Sequence, residues 1–169
     1  EPYLLGGPHG HLLDADQDCL ADAPVQCFEM EALMSSKASV AAVLGYLFHR
    51  FDAQFDGAPT LLILDEAWLF LDEPLFAARI RQWLKTLRKK NVSVIFATQS
   101  LADIDASSIA SAVIESCASR ILLPNPQAQE PQVRELYRAF GLNDRQISMI
   151  TGAIPKREYY YQSRQGNRL

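Results

Sequence analysis

An acidic pair, Asp65 and Glu66, follows a run of apolar residues in the stretch LLILDEAW at residues 61–68. Residues 60–64 show no polar alternation, which predicts a parallel strand covered on both faces. Ligand sites in parallel sheets lie at the carboxyl ends of strands, where this pair falls. Because adjacent side chains on an extended chain point to opposite sides, the two carboxylates can do different chemistry. We expect Asp65 to hold Mg²⁺, directly or through water, and Glu66 to orient and deprotonate an attacking water. The alternative is two solvated acids at the start of a loop.

A polar tip also follows the next apolar run, VSVIFATQS at residues 92–100. Gln99 lies 34 residues after Asp65 and would sit beside the acidic pair if the two strands are neighbours. Its amide could contact the attacking water or the γ-phosphate of a nucleotide. Read alone, Gln99 could equally be a loop or helix-capping amide.

Two arginines are candidates for a charge-stabilising role. Arg88 lies in LRKKN, at the end of a predicted helix, where a basic residue complements the helix dipole. The functional alternative is an arginine finger that reaches the γ-phosphate in a neighbouring subunit. Arg120, at the start of a predicted strand, is the second choice.

A phosphate-binding loop of the form G-x-x-x-x-G-K-[ST] does not occur in the 169 residues. The glycine-rich residues 6–10 are not followed by Gly-Lys-Ser/Thr, so they predict a tight turn instead.

Length and composition predict one globular domain over residues 1–169, with 49% apolar and 21% charged residues. The apolar stretches are shorter than the roughly 20 residues of a membrane helix. Three widely spaced cysteines predict buried, reduced thiols. Residues 1–76 carry 13 acidic and 2 basic residues, whereas residues 77–169 carry 7 acidic and 14 basic residues. The charges either mix in the fold or form a face for a subunit or a polyanion.

The order of elements predicts an α/β fold with a mostly parallel sheet, right-handed crossovers and flanking helices. Apolar residues at i, i+3, i+4 and i+7 predict a helix over residues 36–54. Another helix follows Asp72, a candidate cap, with Pro74 in its first turn. Strands are predicted at 25–29, 60–64, 92–97, 120–123 and 158–162, and further helices at 107–117, 130–140 and 143–150.

The stretches LLILDEAWLFLD, WLKTLRKKNVSVIFATQSLADI, ESCASRILLPNP and KREYYYQSRQGNRL together resemble a known family. It is the C-terminal ATPase domain of the TrbE/CagE-type conjugal transfer ATPases, in the HerA–FtsK class of RecA-like ATPases. The resemblance covers nearly the whole chain in one order. It implies a partial RecA-like P-loop NTPase core, Mg·ATP hydrolysis and hexameric rings. It also implies a place at the cytoplasmic face of the bacterial inner membrane. There the family works with other type IV secretion subunits, including a coupling protein, to power pilus assembly and the export of DNA or protein.

The resemblance also assigns roles to residues. Asp65 and Glu66 match the Walker B pair, and Gln99 matches the glutamine of the following motif. Arg88 matches the arginine of an R-K-x-G segment that supplies a trans arginine, although Asn91 stands in place of the glycine. Arg120 falls in a further family motif.

The family's phosphate loop lies upstream of the segment that this chain matches. The chain is therefore expected to be the C-terminal part of a RecA-like ATPase domain and to be inactive by itself. Two alternatives stay open. One is a protein-docking module that uses the basic helix at residues 79–90. The other is a helicase lobe, although helicases with Asp-Glu-Ala-x favour Ser-Ala-Thr where this chain has Ala-Thr-Gln.

Overall fold

The computed structural model describes residues 2–18, 20, 23–30, 33, 37–67, 71 and 74–169. In these residues, helices and strands alternate along most of the chain. The elements are α1 (Gly10–Leu13), α2 (Lys37–Gln54), β1 (Thr60–Leu64), α3 (Pro74–Thr86), a 3₁₀ helix (Leu87–Lys90), β2 (Val92–Phe96), α4 (Leu101–Asp105), α5 (Ala110–Ser116), β3 (Arg120–Leu122), a second 3₁₀ helix (Pro126–Gln129), α6 (Pro131–Ala139), α7 (Asp144–Gly152), β4 (Tyr160–Ser163) and β5 (Gly166–Arg168).

The first sheet consists of the parallel strands β1 and β2, which pair along their full length of five residues each. The predicted parallel pairing of these two strands is confirmed. Their predicted burial on both faces is wrong in the described part of the chain. Leu61 is 55% exposed, Ile63 is 59% exposed and Ile95 is 49% exposed. All three lie on strands whose alternate residues point the other way, so the described elements cover one face of the sheet.

Helices α2 and α3 pack against each other through the apolar faces that their 3.6-residue period predicts. The ring of Phe48 on α2 meets Trp83 on α3 edge to face, with 4.9 Å between the ring centroids. Asp52 on α2 accepts hydrogen bonds from Trp83 Nε1 at 2.9 Å and from Arg79 at 2.8 Å. This polar clamp satisfies the indole N–H at the edge of the core. No described helix has the length and apolar character to cross a membrane.

Helix α3 begins and ends as its sequence predicts. Pro74 is its first residue, where the missing N–H has no intrahelical partner to lose. The predicted cap Asp72 lies outside the described residues. At the other end the chain tightens into the 3₁₀ helix and then turns at Asn91, whose φ of 59° and ψ of 32° are left-handed. This turn delivers the chain directly into β2.

The second sheet corrects the prediction of a mostly parallel arrangement. β3 pairs antiparallel with β4, and β4 pairs antiparallel with β5, so the strand order is β3-β4-β5. Aromatic and β-branched residues predicted the strand that became β4, but their propensity carries no information about the direction of the partner. A two-residue turn before Gly166, with φ 134° at that glycine, makes β4 and β5 a hairpin. The α/β class is confirmed, and helices α2, α5, α6 and α7 lie within the predicted ranges to within a few residues.

The N-terminal part contains the other departures. Residues 25–29 form no strand, and Val25 is 86% exposed. Phe28 nevertheless anchors this segment by stacking edge to face on Phe51 of α2, with 5.4 Å between ring centroids. The prediction of buried thiols is wrong for Cys27, which is exposed. Cys117 is partly buried, and burial raises the pKa of its thiol above the usual value. The short helices α1 and α4 were not predicted.

Candidate functional site at the carboxyl ends of β1 and β2

The acidic pair lies in the turn that follows β1. The Asp65 carboxylate accepts a hydrogen bond from the Glu66 backbone N–H at 3.0 Å through Oδ1. Glu66 has φ 49°, a left-handed conformation that non-glycine residues rarely adopt. Both side chains are exposed, whereas Ala67 is fully buried and donates its N–H to the Ala97 carbonyl at 3.2 Å. The turn is thereby tied to the end of the neighbouring strand, and both carboxylates face solvent.

Gln99 follows β2 and reaches the acidic pair directly. Its Nε2 donates a hydrogen bond to Glu66 Oε1 at 2.6 Å. The backbone bond from Ala97 N–H to the Leu64 carbonyl, at 2.9 Å, keeps the two strands paired up to this point. The adjacency of the two polar tips, expected from parallel pairing, is therefore present in the structure.

Ser100 fixes the segment that carries Gln99. Its Oγ accepts a hydrogen bond from the Ala102 N–H at 3.1 Å and caps the N-terminus of α4. Neither this cap nor α4 was predicted. The signal was present as Ser100-Leu101-Ala102-Asp103, a serine followed three residues later by an acid, which is a common helix start.

Arg88 lies at the opposite end of β2. It is an exposed residue of the 3₁₀ helix that precedes the strand, whereas Gln99 comes after the strand. A five-residue strand is about 16 Å long, more than an arginine side chain can span. Within one chain, Arg88 therefore does not reach the acidic pair.

Arg120 has its guanidinium engaged inside its own chain. It donates to the Ile114 carbonyl of α5 at 2.8 Å and to the Phe140 carbonyl at the end of α6. Basic groups at helix C-termini satisfy carbonyls that have no intrahelical partner. The contacts of Arg120 are those of a structural residue, while its predicted role as second-choice finger stays a prediction.

The fit of Mg²⁺ to this site depends on Asp65. In the described part of the chain, no group of three or more His, Cys, Asp or Glu side chains is close enough to hold a metal ion. No described donor reaches Asp65 Oδ2, so that oxygen is available to a cation. Mg²⁺ keeps several waters and commonly binds through one or two carboxylates and substrate phosphates, so one exposed aspartate suits it.

An open groove runs beside the site between β2 and β3. Its volume is about 1320 Å³, and it extends from Arg88 along β2 to Gln99 and back along β3. Among the described strands, β2 pairs only with β1 and β3 only with β4, so each presents an unpaired edge. The groove is therefore bordered by two strands that each have hydrogen-bonding capacity left.

The fold and this geometry define the class of protein: an α/β domain in which carboxylates and an amide meet at the carboxyl ends of neighbouring parallel strands. The family model of the TraG P-loop domain matches residues 1–162. The chain belongs to the TraG P-loop domain family.

Curated relatives carry names from conjugation and secretion. The chain is 50% identical over 168 residues to the conjugal transfer protein TrbE of Rhizobium radiobacter, which covers 99% of this chain and 20% of that protein. It is 48% identical over 168 residues to a TrbE protein of Sinorhizobium fredii, covering 99% of this chain and 25% of that protein. It is 30% identical over 165 residues to the type IV secretion system protein virB4 of Bartonella henselae, covering 97% of this chain and 21% of that protein. The chain thus spans a quarter or less of the length of these relatives.

Proposed function

We propose that these 169 residues are the Walker B-containing part of a motor ATPase that powers type IV secretion or conjugal transfer. The observation that carries the proposal is the contact of Glu66 with Gln99 at the ends of two parallel strands. Such an edge is where α/β proteins bind nucleotides. Membership of a P-loop domain family and similarity to conjugal transfer proteins support the same function.

The phosphate loop is proposed to lie on a part of the protein outside these residues. Three observations support this. The 169 residues contain no Gly-Lys-Ser/Thr loop, and the relatives are about four or more times longer. In addition, one face of the β1–β2 sheet is exposed beside an open groove. With that part in place, the domain would be a RecA-like core.

Each site residue then has a separate role. Asp65 holds the Mg²⁺ of Mg·ATP through Oδ2 while its Oδ1 fixes the Glu66 backbone. Bound Mg²⁺ neutralises charge on the phosphate oxygens. Glu66 orients the attacking water and accepts its proton. Gln99 contacts Glu66 and the terminal phosphate.

Arg88 is proposed to act in trans. Because it lies a strand's length from the acidic pair of its own chain, it can serve only a site on a neighbouring subunit. That geometry supports a ring of subunits, a hexamer in the complete protein, with Arg88 as the finger. The ring would be peripheral to the cytoplasmic face of the inner membrane, in contact with other secretion subunits including the coupling protein. Its cargo is DNA or protein.

The test is Glu66→Gln in the complete protein that carries these residues. We expect turnover of ATP to fall by about 10²-fold to 10⁴-fold because the base is lost. Binding of ATP should be retained, since the phosphate loop and Asp65 are intact. Turnover is measured by phosphate release and binding by calorimetry.

The matched control is Glu115→Gln, an exposed glutamate on α5 outside the site. Its turnover should equal that of the wild-type protein. A sample of the 169 residues alone should give no Mg-dependent turnover. If Glu66→Gln retained full turnover, Glu66 would not be the base.

A docking module is the second candidate function. The exposed positions of Arg81, Lys85 and Lys89 favour it, because this i, i+4, i+8 spacing makes one basic stripe. The helicase alternative gains no support from the described residues beyond the Asp-Glu-Ala sequence itself.

A further inference from the structure

The hydrogen bond between Gln99 and Glu66 occupies the group that must do the chemistry. The 2.6 Å distance from Nε2 to Oε1 is short, as expected when the acceptor is a carboxylate. In the described part of the chain, no other side chain donates to the Glu66 carboxylate. An oxygen whose lone pair is taken up by an amide N–H is not free to accept the proton of a water.

The backbone on both sides of this contact is held by hydrogen bonds of its own. Glu66 is fixed through Asp65 Oδ1, Ala67 through the Ala97 carbonyl, and the residue after Gln99 through the α4 cap. The contact therefore forms and breaks by rotation of two exposed side chains, without movement of either strand. Such rotations occur in picoseconds to nanoseconds and do not limit turnover.

We propose that Gln99 is a positioning residue that holds Glu66 in a resting orientation until the terminal phosphate of ATP takes over its Nε2 donor. The hydrogen bond from Gln99 to Glu66 is called the latch below. This inference rests on the proposed function, since it requires a nucleotide at the ends of β1 and β2. The phosphate oxygens of ATP are anionic acceptors, as the carboxylate is, and compete with it for the same N–H group. ADP lacks the terminal phosphate and leaves the latch closed.

The latch has a measurable consequence for binding. Because ATP must replace the carboxylate as the acceptor, the contact opposes ATP binding and has no effect on ADP binding. Removing the Glu66 carboxylate should tighten ATP binding by freeing Gln99. It also removes a negative charge near the phosphates, which tightens ATP binding by a separate electrostatic effect. A double-mutant cycle separates the two, since the electrostatic effect persists when Gln99 is absent.

The experiment measures the affinity of the complete protein for the non-hydrolysable analogue AMP-PNP and for ADP. The variants are Glu66→Ala, Gln99→Ala and the double substitution. Both side chains are exposed, so these variants should fold like the wild-type protein, as thermal denaturation checks. Gln132→Ala, an exposed glutamine on α6, is the matched control and should leave both affinities unchanged.

We expect Glu66→Ala to tighten AMP-PNP binding relative to ADP binding about fivefold more when Gln99 is present than when it is Ala. That factor is the size expected for one exposed hydrogen bond to a charged group. An equal gain in both backgrounds overturns the latch. If turnover is still lost in Glu66→Gln, the proposed function stands and only the latch falls. A wild-type complete protein that binds neither nucleotide overturns the proposed function and the latch together.

Discussion

Arg120 joins the C-terminal ends of two helices to the first strand of the second sheet. Its guanidinium donates to carbonyls of Ile114 on α5 and Phe140 after α6. Planar guanidinium groups with several N–H donors suit this task because one side chain can reach two acceptors. The neighbouring Cys117 shows the same mixed environment, since burial raises the pKa of its thiol and the Arg120 charge opposes that rise.

Replacing Arg120 with Ala should therefore lower the free energy of unfolding by about 2 kcal/mol, because two carbonyls lose a charged donor. Urea denaturation of the 169-residue chain measures it. Arg145→Ala, an exposed arginine on α7, is the control and should change stability by less than about 0.5 kcal/mol. The finger role would regain support if Arg120→Ala left stability unchanged and abolished turnover in the complete protein.

Asn91 connects the 3₁₀ helix to β2 and explains the departure from the R-K-x-G segment. Its φ of 59° is the left-handed region that glycine adopts without strain and that asparagine tolerates better than other residues. Its Nδ2 also donates to the Gly57 carbonyl at 3.2 Å, and its carbonyl accepts from Thr60 N–H at 3.2 Å. The turn therefore holds the starts of β1 and β2 together.

Asn91→Ala should lower the free energy of unfolding by about 1–2 kcal/mol, since a left-handed alanine is strained. Asn91→Gly should stay within about 0.5 kcal/mol of the wild-type chain, because the lost amide contact is offset by freedom from strain. Thermal denaturation of the 169-residue chain measures both. Equal losses in the two variants would show that the amide contact, and not the backbone conformation, is what matters.

The elements that the sequence predicted well are those whose signal is local. The period of α2, Pro74 at the start of α3 and the apolar runs of β1 and β2 all depend on neighbours in the chain. The contact of Glu66 with Gln99 also followed, because parallel neighbours end at the same edge. Pairing of β3 with β4 joins residues far apart in the chain, such as Arg120 with Gln162, for which a single sequence carries no signal. The occupied guanidinium of Arg120 was likewise invisible, since its acceptors are backbone carbonyls.

At the scale of the whole molecule, the two charge-biased halves of the sequence mix only in part. Asp52 from the acidic half pairs with Arg79 and accepts a hydrogen bond from Lys90 at its carbonyl, at 3.3 Å. The stripe of Arg81, Lys85 and Lys89 remains exposed on the outer side of α3 and the 3₁₀ helix, with Arg81 also donating to the Ser108 carbonyl. It is a surface that fits an acidic partner.

If the stripe docks other secretion subunits, changing Arg81, Lys85 and Lys89 to Glu should weaken their capture by the complete protein at least about tenfold, since like charges then meet. Quantitative pull-down measures it. The control reverses three exposed basic residues elsewhere, Lys156, Arg157 and Arg164, with the same change in net charge. Equal capture by both triple variants and the wild-type protein would rule out docking through the stripe.

The unpaired edges of β2 and β3 also bear on how the chain behaves at high concentration. Residues 92–96 read VSVIF, a short segment with high β propensity and without charge or proline. Segments of this type on an open edge are templates for strands of other molecules, and natural proteins normally protect them with lysine, proline or a bulge. Among the described residues, only the recess of the groove shields this edge. Until the groove is filled, aggregation competes with correct assembly, so cells that make this domain benefit when the segment that fills it is synthesised first.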